Sequence, residues 1–212
     1  MRIFLLFMLV VSSRGELLDR VAVTIGNQVI TQGQLDDEIR MTAFLNHEPP
    51  SFTAKAKRDA ADRLIEQRLV QREMELGRYG EGSEAEAAAM LDKLEKTRAR
   101  SPEEFDRELR AAGLTKQELQ RHLLYGLRLA SFIDLRFRPA VQVTRQEVDE
   151  YYKDKILPDP KTGKKPDLAE VRQQIRQTLS AERADKQMDA WLKDARTRSH
   201  IEIHKEAFED AK

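Results

Sequence analysis

Four times between residues 83 and 147 the chain sets Ser or Thr three residues before Glu: Ser83 and Glu86, Ser101 and Glu104, Thr115 and Glu118, Thr144 and Glu147. In a capping box the hydroxyl accepts from the N–H three residues on, and the Glu carboxylate accepts from the hydroxyl residue's own N–H. Those donors have no partner inside a helix. Four boxes at these spacings commit the middle of the chain to helix. Pro102 sits at a first helical position, Gly113 separates two helices, and Pro139 ends the one begun near Lys116. Upstream, Thr31 caps a helix over about 32–45 that Pro49-Pro50 stops. A long helix over about 53–76 ends at Gly77 and Gly80. Downstream come a short helix over 145–155 and, after Asp167, a final one over 168–198.

Two segments break the helical pattern. Val21, Val23 and Ile25 alternate with smaller or more polar neighbours, Gly26-Asn27 occupies a two-residue turn, and Val29-Ile30 begins the return. The other β-like stretch lies at the far end, His200–His204. An isolated hairpin is marginal in water, so the two ends are expected to meet in one small sheet. The fold class is therefore mainly α: many helices, with a small antiparallel sheet formed by the N-terminal hairpin and a C-terminal strand. Apolar stripes mark the packed faces. They are Ala61, Leu64, Ile65, Leu69 and Val70 on the long helix, and Leu119, Leu123, Leu124, Leu127 and Ile133 on the helix after Thr115. The last helix carries Leu168, Val171, Ile175, Leu179, Met188, Trp191, Leu192 and Ala195. Thirty residues of helix reach about 45 Å, more than one compact bundle needs, so the last helix should bridge subregions. Ile156–Asp167, with three prolines and a glycine, is a linker.

Arg2 followed by the nine-residue apolar run Ile3–Val11 and Ser13-Arg14-Gly15 has the form of a secretory leader over residues 1–15. Nine residues rise about 14 Å as a helix against a hydrocarbon core of about 30 Å, so the run does not span a bilayer. The leader implies export. Without Arg2 and Arg14 the chain has about 197 residues and 35 basic against 37 acidic side chains, net charge −2. That balance argues against nucleic acid as partner. The absence of Cys excludes disulfides, thiol catalysis and thiolate metal sites. The expected organisation is the leader, a hairpin and helical region over 16–155, the linker over 156–167, and residues 168–212 completing the same core.

Catalytic patterns fail one by one. Lys161-Thr162-Gly163-Lys164-Lys165 lacks the G-x-x-x-x-G-K frame of a phosphate loop and the accompanying motifs of penicillin-recognising enzymes. His200, Glu202 and His204 would share one strand face and could in principle hold a metal. An exposed polar face opposite buried Ile201 and Ile203 is the plainer account. Carboxylates serve caps or helix-face pairs such as Glu66–Arg63 and Glu118–Arg121. No enzyme, no metal and no cofactor is expected. What remains is flexible and aromatic apolar material: Met41, Phe44 and Phe52 around the Pro-rich break, Met90 and Leu94 after Ser83, Phe105 and Leu109 after Ser101. Such side chains suit a surface that repacks around varied apolar partners, against the alternative of an ordinary helical core.

The order of parts resembles that of SurA-like periplasmic chaperones and PpiC/PrsA-type foldases. It is carried by Leu18–Thr31, Gln34-Leu35-Asp36, Leu64–Val70, Gly113-Leu114-Thr115, Val143-Thr144 with Glu147-Val148 and Tyr151-Tyr152, and Val171, Ile175, Leu179 and Ala190-Trp191-Leu192. In many relatives a parvulin prolyl-isomerase domain follows the segment matching Glu147–Lys155. Here only the linker occupies that place, so no isomerase residue carries over. The resemblance implies a chaperone core whose terminal strands pair and whose helices cradle extended polypeptide. Its partners would be unfolded or partly folded secreted or outer-membrane proteins, bound without ATP. The alternatives are an envelope adaptor with one dedicated partner and, less favoured, a peptidyl-prolyl isomerase. On this reading Phe44→Asp with Phe105→Asp should weaken client binding and leave helicity largely intact.

Overall fold

The computed structural model describes residues 19–77, 79, 82–158 and 163–209; the leader and Lys161-Thr162 lie outside the described residues. Strand β1 (Val21–Ile25) turns through Gly26-Asn27 into β2 (Gln28–Thr31), with Gly26 at φ 58°, a conformation that costs glycine little. Strand β3 (Ile201–Ile203) pairs antiparallel on the other side of β1, giving the order β2-β1-β3. The two chain ends therefore do meet in one sheet. A register shift between Val21 and Val23 lets both Ala22 and Val23 bury fully.

Seven α-helices follow among the described residues: α1 (Gln32–Asn46), α2 (Ala54–Gly77), α3 (Glu84–Arg98), α4 (Pro102–Ala111), α5 (Lys116–Arg136), α6 (Arg145–Lys155) and α7 (Leu168–Arg198). Thr115–Glu118 and Thr144–Glu147 form the full reciprocal box. Ser83 and Ser101 supply only the hydroxyl half. Glu104 instead accepts from the N–H of Arg100 at 2.8 Å. A third full box, Thr31–Gln34, starts α1. That helix is stopped not by Pro49-Pro50 but by His47 in the left-handed region (φ 60°), with the Glu48 N–H donating to the Ala43 carbonyl at 2.9 Å.

Among the described residues three apolar clusters form the core, and four helices, α1, α2, α5 and α7, each serve two of them. The first joins the sheet (Ala22, Val23, Ile25, Ile30) to Leu35 and Ile39 of α1, Ala60, Ala61, Ile65 and Leu69 of α2, and Ala207 and Phe208. The second joins Met41 and Phe44, farther along α1, to Leu91, Phe105, Leu109, Leu114 and Leu119. The third joins Val70 and Met74 at the end of α2 to Phe132, Phe137, Ala184 and Met188, with Trp191 at its edge. Helix α7 runs from Leu192 and Ala195 against the first cluster back through the third, so it does bridge subregions. Near its start it packs on α6.

The α6–α7 contact is electrostatic as well as apolar. Arg183 donates to the Glu147 carboxylate and to the Gln142 carbonyl, while Thr144 donates twice to Glu147 at 2.8 Å. Arg183 first, and then the Thr144 donors, draw the Glu147 carboxyl down to about 2 from its ordinary 4.5. A depressed carboxyl stabilises the fold above its unfolded value and loses that contribution as pH falls through its folded one. Glu147→Gln is therefore expected to lower the urea midpoint by a constant amount above about pH 5. The gap to the parent should close between pH 4.5 and 2. A gap independent of pH over that window would show that the carboxylate charge is not what holds α6 to α7.

Candidate functional site

The seven apolar residues singled out in the sequence do not form one open surface. Met41, Phe44, Phe105 and Leu109 are buried in the second cluster, with Phe105 at 0% exposure and its ring 6.1 Å from that of Phe44 in an edge-on arrangement. Leu94 packs at the edge of that cluster. Only Phe52 (37%) and Met90 (43%) are exposed. The expectation of an apolar cradle built from this set is therefore corrected: helix α4 supplies Phe105 and Leu109 to fill the space between α1 and the α3–α5 pair. With them inside, Phe44→Asp and Phe105→Asp would each bury a charge, so retained helicity is not the expected result.

Two open concavities flank α1. One, of about 450 Å³, lies at its C-terminal end, lined by Arg40, Phe44, His47, Pro50, Arg98 and Glu108 among others. Arg98 is held there on three sides. Its guanidinium lies 3.8 Å from the Phe44 ring centroid, Nη1 donates to the Phe44 carbonyl at 2.7 Å, and Nε pairs with Glu108 at 3.1 Å. Arg40 covers the exposed Phe52 ring at 5.4 Å. These cations are already partnered, and the cavity is a lined notch.

The second concavity, about 280 Å³, runs between α1, α2 and α5. Its apolar wall is Met41, Leu64, Leu114 and Tyr125; between them stand Gln34, Gln67, Gln71 and His122, and the charged Asp37, Glu38, Arg68, Glu118 and Arg121 complete the lining. Helix α5 gives it Glu118, Arg121, His122 and Tyr125, while the leucine stripe of that helix does not line it. Helix α5 packs along α3 and reaches α7 with its C-terminal part. Of its expected stripe only Leu119 is fully buried; Leu123, Leu124, Leu127 and Ile133 stay half-buried. Burial pushes the Tyr125 hydroxyl up to about 12, with the negative charges of Glu66 and Glu38 adding to the effect. The phenol thus stays protonated, a donor and acceptor beside an apolar ring. Desolvation likewise raises the Glu66 carboxyl.

The floor is tied between helices. Arg63 Nε pairs with buried Glu38 across α1 and α2 at 2.7 Å, and Thr42 donates to the same carboxylate. The expected Arg63–Glu66 pair is thus replaced by a cross-helix one. Glu118 is used in its cap with Thr115, not in a pair with Arg121.

The strand-end histidines have other employment. His204 Nε2 lies 2.9 Å from Thr24 Oγ1, and no group of three His, Cys, Asp or Glu side chains among the described residues is placed to hold a metal. Ile201 is half-buried and Ile203 is 49% exposed, not buried as expected, because β3 is an edge strand with a neighbour on one side only. Among the described residues no helix is long and apolar enough to cross a membrane.

Sequence reasoning missed Tyr125, His122 and the glutamines of α1 and α2 as a lining. The available clue was the spacing of Glu118, Arg121, His122 and Tyr125, which sets them on one face of α5 apart from the leucine stripe. No protein-family model matches the chain, and no curated protein matches it.

Proposed function

We propose that the protein is an ATP-independent, holdase-type chaperone of the periplasm that binds unfolded secreted or outer-membrane polypeptides in the groove between α1, α2 and α5. The observation that carries this reading is the open groove between α1, α2 and α5, in which Met41, Leu64, Leu114 and Tyr125 stand among amide and charged side chains. Leucine, methionine and tyrosine offer nonspecific apolar contact, while the amide groups of Gln34, Gln67 and Gln71 can donate to a client backbone, the oxygens of Gln34 and Gln71 already accepting from the Thr31 N–H and from Arg68. The resemblance in order of parts to SurA-like chaperones points the same way, and the linker at 156–167 stands where many of those carry an isomerase domain. A groove of this size buries on the order of 150 Å² of apolar surface counting both partners, roughly 3–4 kcal/mol gross at about 25 cal/mol per Å². Ordering both partners offsets much of it, so the affinity at this groove is weak and release fast.

Light scattering of several unrelated chemically denatured proteins tests the reading. Equimolar protein is expected to suppress aggregation of each of them, and Tyr125→Ala to weaken binding roughly 5–10-fold. Suppression of none would favour an adaptor with one dedicated partner. Acceleration of a protease-coupled peptidyl-prolyl assay above the spontaneous rate would favour an isomerase.

A further inference from the structure

Helix α4 is attached to the core by few groups. Six of its ten residues, Glu103, Glu104, Asp106, Arg107, Glu108 and Arg110, are charged, and only Phe105 and Leu109 enter the core. Those two lie four residues apart on one face. Its cap is self-contained, since Ser101 accepts from the Glu104 N–H and Glu104 accepts from the Arg100 N–H, so the helix carries its own terminus wherever it goes. The ties to its neighbours are two ion pairs, Glu108 with Arg98 of α3 and Asp106 with Lys116 of α5, the latter pair 40% and 38% exposed. Exposed pairs hold weakly. At its ends lie the extended Ala99 and Gly113 at φ 71°. Met41 and Leu114, which receive the α4 side chains, also line the groove between α1, α2 and α5.

We propose that α4 is a built-in occupant of the client-binding surface, displaced when a client segment presents an aromatic and an aliphatic side chain four residues apart on an amphipathic helix. The inference rests on the holdase reading and deepens it by naming what the site selects. Phe105 and Leu109 define the shape of the slot, and a client segment of the same pattern refills it, exchanging like for like. The displaced helix exposes only those two large apolar groups, so its release leaves a charged, soluble hairpin and not an aggregation-prone one.

The cysteine-free chain makes the test direct. Leu109→Cys places a lone thiol under α4, and Ile65→Cys places one in the sheet cluster as a control. Thiol labelling is followed with and without saturating reduced, carboxymethylated α-lactalbumin, a permanently unfolded chain whose binding is read by fluorescence anisotropy. Labelling at position 109 is expected to accelerate at least fivefold on client binding, with position 65 unchanged. Binding with an unchanged rate at 109 overturns the displacement and leaves the holdase reading standing, whereas absence of binding removes both. Equal acceleration at both positions means global opening and also overturns the proposal. A second variant guards against a destabilised thiol mutant. Lys116→Met removes the ties to Asp106 and Glu95 from a half-buried position, and is expected to tighten client binding severalfold with far-UV circular dichroism unchanged. Unaltered or weaker binding in that variant contradicts the proposal.

Discussion

Phe105→Ala is expected to lower stability by about 3–5 kcal/mol, the range for emptying a fully buried phenylalanine site. The side chain is the keystone of the second cluster. It stands edge-on to Phe44, beneath the Lys116 ammonium at 5.7 Å, and among Met41, Leu91, Leu114 and Leu119. Alanine leaves a cavity that α4, held otherwise by Leu109 and two ion pairs, cannot close. The loss should be local first. Amide exchange is expected to speed most in α4, then in α3 and the start of α5, while the strands of the first cluster keep their protection. Urea unfolding monitored by circular dichroism gives the total. A change below about 1 kcal/mol would mean that the ring does not fill the site. Uniform acceleration across strands and helices would mean that the three clusters are one cooperative unit.

Phe132→Ala should cost a similar amount, about 3–5 kcal/mol, for a different reason. Phe132 is the hub of an aromatic group: its ring lies 5.0 Å from Tyr79, 5.6 Å from Phe137 and 5.8 Å from Trp191, all edge-on. Such pairs add about 0.5–1.5 kcal/mol each beyond area burial. The hub is where α5, α7 and the end of α2 converge. Trp191 is the single tryptophan of the chain, so its emission reports this site alone. A red shift in the folded variant, together with a lowered midpoint, is the expected result. An unshifted spectrum would place the α5–α7 junction elsewhere.

Local chemistry made most of the element boundaries readable. Helix starts at 84, 102, 116 and 145 follow from hydroxyls that accept from backbone donors three residues on, and α7 begins after Asp167 as its pattern indicates. Two glutamates nonetheless left the reciprocal role the spacing suggested, because Glu104 had a second backbone donor within reach, and Gln34 took that role where only a lone cap was foreseen. The end of α1 was misattributed for a similar reason. Pro49-Pro50 is the louder mark, yet His47, two residues before it, already turns the chain in the left-handed region.

The candidate site was far less legible. Phe44, Phe105 and Leu109 carry the same pattern whether they line a hollow or fill it, since amphipathicity gives the face and not its neighbour. Arg63 illustrates the point on a single side chain. Its helix offers Glu66 one turn away, and the tertiary packing offers buried Glu38, whose desolvated carboxylate gains more from a partner.

What the amino-acid order determined by itself is the set of things settled within about five residues: caps, the Gly26-Asn27 turn, stripe orientation and the pairing demand of two strands that are each too short to stand alone. Tertiary structure alone decided which stripes close and which stay open. That choice depends on how many helices crowd α5, and it left Tyr125 and His122 at a groove while α4 sealed Phe105 away. Contacts across tens of residues set that outcome, and no local spacing encodes them.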